Sequence, residues 1–455
     1  MKNTLIIVLF LFSMFSCVDN KLKMETINVD APFEMFTVVV PDFSNCKTFI
    51  ISDFGAEQGD KAKTAKAIEQ CIIEANKSGG GVVVIPEGEW LTGKIHLQSN
   101  VNLHLNESAT LLFDDNPQDY LPAVHTTWEG MECYNYSPLI YAYQCENVAI
   151  TGKGTIKAKM DLWKMWAGRP RPHLESLKRL YDWSYQNVPP QERNMVNDTS
   201  NLRPHLIQFN RCENIRIEDV SIVNSPFWTI HTYLSNNILL RGLNVYAHGH
   251  NNDGYDPEMS QNILVENCIF DQGDDAIAVK SGRNQEGWRS QTPTKNLVIR
   301  NCTVKNGHQL IALGSELSGG IENVYIHDCD VLPNAKMNHL VFVKTNERMG
   351  GYVNNIYVKN ITAAGKMDFG VLGIETDVLY QWRNLTPTYI RQLTPIKNMF
   401  LENIKATNVD FISRVLGQTE LPVENISLKN VMVDSVRGDK EHIHENLINF
   451  SEIFE

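Results

Sequence analysis

The stretch 261-QNILVENCIFDQ-272 decides the fold, because the same phrase recurs along most of the chain. It consists of an Asn, alternating aliphatic and polar residues, a polar turn, and a second short alternating segment. Alternation with a period of two predicts β-strands. The other copies are 145-CENVAI-150, 212-CENIRIEDVSIVNS-225, 236-NNILLRGLNVYA-247, 295-KNLVIRNCTVKN-306, 322-ENVYIHDCDVLP-333, 354-NNIYVKNITAAG-365, 397-KNMFLENIKATN-408 and 424-ENISLKNVMVDS-435.

The spacing of these copies predicts a solenoid. From Asn214 to Asn323 the unit recurs about every 23 to 34 residues, a repeat length typical of stacked coils. One unit cannot bury its apolar face alone, so the coils must stack with equivalent strands parallel. We therefore predict an all-β chain, folded as a right-handed parallel β-helix. It forms a single catalytic domain over residues 48–455, with insertions near 157–204 and 375–393.

The cysteines fit this repeat. Cys268, Cys302 and Cys329 each lie six residues after the repeat Asn, and Cys145 and Cys212 each lie two residues before it. Equivalent positions stack in columns, so we predict small buried side chains rather than disulfides or metal ligands. We expect the repeat Asn residues to satisfy backbone groups of the turns.

The segment 52-SDFGAEQGDKAKTAKAIEQCIIEANKSGGG-81 predicts a short capping helix that ends at the Gly run after Ser78. The residues with helical spacing are Ala67, Ile68, Cys71, Ile72 and Ala75. The strand 82-VVVIP-86 follows. A helix over the open first coil would cover an otherwise unpaired row of strand hydrogen-bonding groups.

The first 17 residues have the pattern of a targeting segment. Lys2 precedes the apolar run 5-LIIVLFLFSMF-15, which is too short to span a bilayer, and Ser16 and Cys17 follow it. This pattern is similar to a bacterial lipoprotein signal with lipidation at Cys17; an ordinary secretory signal is the alternative. With Val18 rather than Asp after the Cys, we expect an exported protein, an outer-membrane lipoprotein or periplasmic. Residues 18–47 would form a linker and a lead-in strand.

The composition of the chain limits which classes of binding partner it can have. The net charge of -12 argues against nucleic acid, which needs a basic surface. An acidic substrate stays possible because Lys and Arg clustered in a cleft can override the net charge. We expect a monomer that touches a membrane only through its lipid anchor. The insertion 157–204 contains tryptophans and arginines, among them Arg203, and serves either as a packed cap or as a wall of the binding cleft.

Polar residues that break the strand pattern occur in four successive coils: 251-NNDGYDPE-258, 272-QGDDAIAVKSG-282, 306-NGHQLIALGSE-316 and 339-HLVFVKTNERMGG-351. Stacked coils are about 4.8 Å apart, so Asp253, Asp274, Asp275, His308 and Lys344 should form one ladder along one side.

For the adjacent Asp274 and Asp275, three interpretations compete: a metal site, a pair of catalytic acids, or a solvated turn. Carboxylates with an imidazole and an ammonium suit acid/base hydrolysis, in which crowded like charges keep one proton bound. We interpret Asp256 and Glu258 as acids that stabilise a turn. Lys280 has no clear place, since it falls in the strand beyond the site.

The four segments resemble the polygalacturonase family, family 28 of the glycoside hydrolases. Its motifs are Asn-Thr-Asp, Gly-Asp-Asp or Gly-Gln-Asp, Gly-His-Gly and Arg-Ile-Lys. Here they read Asn251-Asn252-Asp253, Gly273-Asp274-Asp275, Gly307-His308-Gln309 and Phe342-Val343-Lys344. The opening 53-DFGA-56 also matches, and 281-SGRNQEGWR-289, 314-GSELSGG-320 and 345-TNERMGG-351 look most like bacterial exo-acting members.

The resemblance implies inverting hydrolysis of α-linked galacturonic acid in pectin, with no metal or cofactor. It implies that Asp274 is the general acid, Asp253 and Asp275 activate the water, and His308 tunes Asp274. Lys344 would bind a substrate carboxylate.

One departure from the motifs concerns substrate binding. The Arg of the fourth motif is Phe342 here, and a Phe cannot hold a carboxylate as Arg does. Arg283, Arg289 or Arg348 would replace it, with Arg203 as a further candidate for substrate binding. Otherwise the glycosidic linkage of the substrate differs, as in rhamnogalacturonan.

Three rival interpretations of the whole protein are a Ca²⁺-dependent pectate lyase on the same fold, a non-catalytic glycan-binding β-helix and a two-metal Gly-Asp-Asp site.

Overall fold

The structure is a computed structural model that describes residues 22–197, 200–378 and 390–455. The signal segment with Cys17 and most of the insertion at 375–393 lie outside these residues. The helices are α1 (Lys61–Lys77), α2 (Asp161–Trp166), α3 (Arg171–Tyr185) and α4 (Gln285–Ser290), with 3₁₀ turns at Ile51–Phe54, Pro117–Tyr120 and Pro190–Glu192. Among the described residues, no helix is long and apolar enough to cross a bilayer.

Among the described residues there are also thirty-five strands. The first eighteen are β1 (Lys23–Val29), β2 (Phe36–Asp42), β3 (Lys47–Ile50), β4 (Gly81–Ile85), β5 (Gly88–Thr92), β6 (Ile95–His96), β7 (Val101–Leu105), β8 (Ala109–Phe113), β9 (Val124–Trp128), β10 (Met131–Asn135), β11 (Ile140–Tyr143), β12 (Glu146–Gly152), β13 (Thr155–Ala158), β14 (Ile207–Asn210), β15 (Glu213–Glu218), β16 (Ser221–Val223), β17 (Ile230–Tyr233) and β18 (Asn236–Arg241). The others are β19 (Asn244–Ala247), β20 (Tyr255–Glu258), β21 (Gln261–Glu266), β22 (Ile269–Gln272), β23 (Ile277–Val279), β24 (Thr294–Arg300), β25 (Thr303–Asn306), β26 (Gln309–Gly314), β27 (Ile321–Val331), β28 (His339–Lys344), β29 (Val353–Lys366), β30 (Gly370–Glu375), β31 (Ile396–Val409), β32 (Phe411–Leu416), β33 (Val423–Val436), β34 (His442–Glu445) and β35 (Leu447–Ile453).

The strands stack into parallel ladders that confirm the predicted right-handed parallel β-helix. One eleven-stranded ladder, which we call the site sheet, runs β6-β11-β14-β17-β20-β23-β26-β28-β30-β32-β34. The second, of twenty strands, contains the recurring Asn phrase. In its long strands the two halves of the phrase merge, as in β27, which pairs with both β24 and β25. Because the coils stack in register, the polar loops of successive coils lie on the same side of the solenoid.

The repeat Asn residues form a side-chain ladder, which differs from the turn contacts that the sequence predicted. Asn296 donates from its amide to Asn262 at 3.0 Å, and Asn323 donates to Asn296 at 3.1 Å. Their φ angles are positive, 54° at Asn262 and 56° at Asn296. Asn tolerates this backbone better than other non-glycine residues, so one residue type serves both the turn and the ladder.

The stacked cysteines are buried and free, as predicted, among the residues that the structure describes. Helix α1 covers the first coil with the predicted face, and Asp60 caps its first turn by accepting from the Lys63 backbone N–H at 3.0 Å. Gly81 begins β4 directly beneath it, where an added Cβ would lie 2.8 Å from the Cβ of Ala75.

Two antiparallel hairpins pack on the outside of the solenoid. The β1–β2 hairpin packs Val38 and Val40 on outward apolar residues of the second ladder, including Leu239 and Leu264. The β9–β10 hairpin packs with α3 beside the site sheet, where the Trp128 ring stacks on Phe227 with 4.1 Å between centroids. The insertion near 157–204 is thus anchored by a small core of its own.

Candidate active site

The four motif segments meet in one cavity of about 570 Å³ along the outer face of the site sheet. It extends across the coils of β17, β20, β23, β26, β28, β30 and β32. Its lining residues are Glu129, Arg169, Trp228, His250, Asn251, Asp253, Asp274, Lys280, Arg283, His308, Gln309, Ser315, Glu316, Asn338, His339, Phe342, Lys344, Phe369, Glu375, Val378 and Arg414. Asp253, Asp274, His308 and Lys344 lie together, as the register predicted.

Asp274 and His308 form an accessible pair in the cavity. His308 Nδ1 lies 3.1 Å from Asp274 Oδ1, and the side chains are 50% and 19% exposed. Asp274 follows β22 in the polar loop before β23, so its carboxyl faces the cavity. The hydrogen bond with Asp274 raises the pKa of His308 above its ordinary value, despite partial burial.

Asp275 is fully buried and is not among the residues that line the cavity. Lys344 Nζ donates to Asp275 Oδ2 at 2.8 Å, so the ammonium is paired within the protein. The sequence predicted that Lys344 binds a substrate carboxylate. Since it still lines the cavity, a substrate carboxylate would have to share the ammonium with Asp275.

Asp253 lies against Lys280, which sequence reasoning could not place. Lys280 is 4% exposed, and its Nζ lies 4.0 Å from Asp253, 3.9 Å from Asp256 and 3.1 Å from Glu316. The ammonium also stands 4.9 Å from the centre of the Trp228 ring. This buried charge lies among three carboxyls from two coils, those of β20 and β26.

Burial decides where the protons of these acids sit. Burial and the neighbouring Asp274 charge raise the pKa of Asp253 well above its ordinary value. For Asp274 burial acts in the same direction, but the His308 hydrogen bond and the Lys344 charge outweigh it and lower its pKa to about 2. Between these two acids, the directions of the pKa shifts favour a proton on Asp253 and a negative charge on Asp274.

Asp256 and Glu258 lie in strand β20, not in a turn as predicted, and both are fully buried. Glu258 accepts from the Gly282 N–H at 3.0 Å, and its Oε2 lies 3.0 Å from His231 Nε2. Burial, and next the Glu316 charge, raise the pKa of Glu258 to about 8. Both acids support the floor of the site from inside the strand.

The raised pKa of Glu258 predicts how folding stability depends on pH. Above pH 4.5 the unfolded chain releases this proton while the folded protein keeps it, so Glu258 destabilises the fold progressively from pH 4.5 to about 8. We expect the free energy of unfolding, measured in urea, to fall less between pH 5 and 8 in Glu258→Gln than in the wild type. Exposed Glu146→Gln is the control; equal pH slopes in wild type and Glu258→Gln would contradict this assignment.

The arginines predicted to bind substrate divide into two groups. Arg283 lines the cavity, but its guanidinium is paired with Glu316 and its Nε donates to the Glu129 carbonyl at 2.8 Å. Arg203, Arg289 and Arg348 are not among the lining residues. Arg203 instead positions the first motif, donating to Asn251 Oδ1 at 2.9 Å and to the His250 carbonyl at 2.6 Å.

The hairpin β9–β10 and the insertion contribute charged side chains to the end of the cavity near β17. Glu129 lies at the hairpin tip, and Arg169, between α2 and α3, donates to Asn251 at 3.1 Å and lies 3.6 Å from Glu129. The insertion near 157–204 therefore packs on the solenoid and also contributes a wall of the cavity.

A metal ion has few free ligands here. Oxygen or nitrogen atoms of Asp274, Asp275 and His308 lie within 4.8 Å of one another, the one such group among the described residues. Lys344 already neutralises Asp275, and His308 is hydrogen-bonded to Asp274. The donor set thus suits proton transfer better than cation binding.

Comparisons with known proteins place the chain among polygalacturonases in sequence and fold. A probable polygalacturonase from Vitis vinifera is 31% identical over 84% of this chain and 73% of its own length. An exo-poly-alpha-D-galacturonosidase from Dickeya chrysanthemi is 27% identical over 71% of this chain and 55% of its own length. A hyperthermoactive exopolygalacturonase of Thermotoga maritima, 33% identical, superposes with a TM-score of 0.81 over 91% of this chain and 92% of its own.

The family model for glycosyl hydrolases family 28 matches residues 83–451, which include all four motifs and every strand of the site sheet from β6 to β34. The carboxyl ladder, the parallel β-helix and this match agree, and the chain belongs to family 28 of the glycosyl hydrolases.

Proposed function

We propose that this chain is an exo-acting polygalacturonase, which hydrolyses α-linked galacturonic acid from an end of a pectin chain. The observation that carries the proposal is the cluster of Asp253, Asp274, His308 and Lys344 in one cavity, with the buried Asp275 bound to Lys344. Basic side chains also line that cavity, namely Arg169, Lys280, Arg283, Lys344 and Arg414, and they suit a polyanionic substrate despite the net charge of -12.

The roles are those that the family resemblance implies, and the exposure and contacts of Asp274, His308 and Lys344 support them. Asp274 is the accessible acid and gives its proton to the glycosidic oxygen as the bond to the anomeric carbon breaks. Asp253 and Asp275 orient the attacking water and accept its proton. His308, bonded to Asp274, sets the pKa of that acid, and Lys344 binds a substrate carboxylate.

Substrate binding itself loads the acid with its proton. A substrate carboxylate at Lys344 offsets the positive charge that helps keep Asp274 ionised, so the pKa of Asp274 rises. A proton then moves to Asp274 from Asp253, whose pKa is raised by burial, and this leaves Asp253 ionised to act as the base. The pair works with one proton in total.

We propose inversion at the anomeric carbon. One oxygen of Asp274 lies within 4.8 Å of one of Asp275, nearer to the roughly 5–5.5 Å of retaining pairs than to the roughly 6.5–9.5 Å of inverting ones. Two features favour water over Asp275 as the nucleophile. Asp275 is fully buried, and its charge is neutralised by Lys344 at 2.8 Å.

An exo mode is supported by the charged end of the cavity near β17. Glu129 comes from a hairpin and Arg169 from an insertion, both added to the solenoid, and Arg283 comes from the loop between β23 and α4; together they give the cavity an end at which a chain terminus is received. The alternative substrate, a linkage such as that in rhamnogalacturonan, is favoured by Phe342 at the place of the family's Arg. A non-catalytic glycan-binding β-helix is the other alternative.

Product analysis tests this proposal. Incubation with polygalacturonate should release small galacturonate sugars from the first minutes, while the viscosity of the polymer falls slowly. No near-ultraviolet absorbance should develop, since an unsaturated sugar is the product of a lyase. Rapid loss of viscosity would contradict the exo mode, and activity confined to rhamnogalacturonan would favour the alternative substrate.

We also propose that residues 1–17 direct export and that Cys17 carries a lipid, placing the domain at the outer membrane. Support comes from the apolar run and the position of Cys17 after it. Labelled palmitate should enter the wild-type protein in cells but not Cys17→Ala. Equal labelling of both would contradict the anchor, and secretion of unlabelled wild type would favour an ordinary signal peptide.

A further inference from the structure

The place of the absent family arginine can be followed through the register of the site sheet. Phe342 in β28 pairs with Gly373 in β30, and Gly373 pairs with Arg414 in β32. Arg414 is thus in the same column as Phe342, two coils along, and it lines the same cavity. In this column of the site sheet, Phe342 stands where the family has an arginine, and an arginine, Arg414, occurs two coils further along.

The side chains between these positions leave the column open. The Phe342 ring stacks on His339, with 4.4 Å between centroids and 5° between planes. A Cβ at Gly373 would lie 2.7 Å from the His339 ring and 2.9 Å from the Phe342 ring. Since no side chain stands at Gly373, nothing in this column separates Arg414 from the aromatic pair.

Arg414 has hydrogen-bonding capacity left for a ligand. Its Nη2 is paired with Glu375, and its guanidinium lies 5.4 Å from the centre of the Phe411 ring. Its Nε is buried, but the side chain as a whole is 29% exposed and lines the cavity, so a ligand can reach it. A planar fork of donors that is only partly used fits a carboxylate.

We propose that Arg414 binds the carboxylate of a galacturonate unit beyond those at the scissile bond, a task that Phe342 cannot perform. Two coil spacings separate the two positions by about 10 Å. That distance exceeds one pyranose ring, so the carboxylate at Arg414 belongs to a different sugar from the one at Lys344. Arg414 therefore determines specificity for longer acidic chains, and this inference rests on the proposed function.

The test compares oligomers of different length. In Arg414→Gln we expect kcat/KM for tetragalacturonate to fall roughly 10- to 100-fold, mainly through KM, because a charge-assisted contact is lost. For digalacturonate, too short to reach Arg414, we expect less than a twofold change. Arg300→Gln is the matched control, since Arg300 is 28% exposed and paired with Glu266, yet lies outside the cavity.

A second substrate separates binding from a structural role. The wild type should prefer tetragalacturonate over its methyl ester, and Arg414→Gln should lose most of that preference. Arg414→Lys keeps the charge but not the planar fork of donors, so it should lose part of the preference for tetragalacturonate over its methyl ester. It replaces Arg414→Gln in the test if that variant does not fold. An unchanged length dependence and ester preference in the variants overturns this assignment alone. Failure of the wild type to hydrolyse galacturonate oligomers overturns the proposed function and this inference with it.

Discussion

Replacing Asp274 by Asn is expected to lower kcat on galacturonate oligomers by roughly 10²- to 10⁴-fold, the usual contribution of a general acid. An amide cannot give a proton to the leaving oxygen. The fold should persist, because Asn can still accept the contacts that Asp274 makes with His308 and with the backbone N–H of Asp275.

Steady-state kinetics with thermal unfolding of the same samples checks this expectation. Asp330→Asn is the matched control, because Asp330 is an exposed carboxylate in β27 that does not line the cavity. Turnover of Asp274→Asn within a few-fold of the wild type would remove Asp274 from the mechanism. It would also favour the non-catalytic glycan-binding alternative.

Replacing Lys280 by Met is expected to cost roughly 3–5 kcal/mol of folding free energy, because it leaves buried carboxyls without their cation. Lys280 Nζ lies 3.1 Å from Glu316 and within 4.0 Å of Asp253 and Asp256. Activity should also fall, since Lys280 holds Asp253 against the cavity.

The double variant Lys280→Met/Glu316→Gln separates these two effects. It removes one charge of each sign, so urea denaturation should show part of the lost stability regained, while kcat stays low. Lys336→Met, at an exposed position, controls for the substitution itself. A single variant as stable as the wild type would show that Lys280 does not neutralise this cluster.

The register of the repeat made the ladder of motif residues predictable. Stacking of equivalent strands leaves little freedom, so Asp253, Asp274, His308 and Lys344 could be brought together from their spacing alone. The same argument predicted the face of α1 and the burial of the cysteine columns. In each case a local pattern and a fixed coil spacing are sufficient.

Contacts that leave the repeat were not predictable in this way. Glu129 and Arg169 reach the cavity from a hairpin and an insertion whose packing has no period. Glu316 was noticed only as part of a family-like segment, although it pairs with both Lys280 and Arg283. Its role depends on loops from different coils meeting, which sequence spacing does not specify.

Arg414 shows a third limit. The phrase that contains it, 411-FISRVL-416, has no motif, and its column is known only once the coils between β28 and β32 are counted. The insertion at 375–393 lies between β30 and β31, so it interrupts the sequence spacing between Phe342 and Arg414.

Protonation could not be predicted from the sequence either, because the direction of each pKa shift depends on burial and on partners such as Lys344.

The anomeric configuration of the first product tests the central claim most directly. Proton nuclear magnetic resonance during the first minutes of tetragalacturonate hydrolysis distinguishes the α and β forms before they equilibrate. Direct attack by water held at Asp253 and Asp275 predicts that the new reducing end appears as the β form and then mutarotates. Initial release of the α form would mean a covalent intermediate, and would contradict the mechanism.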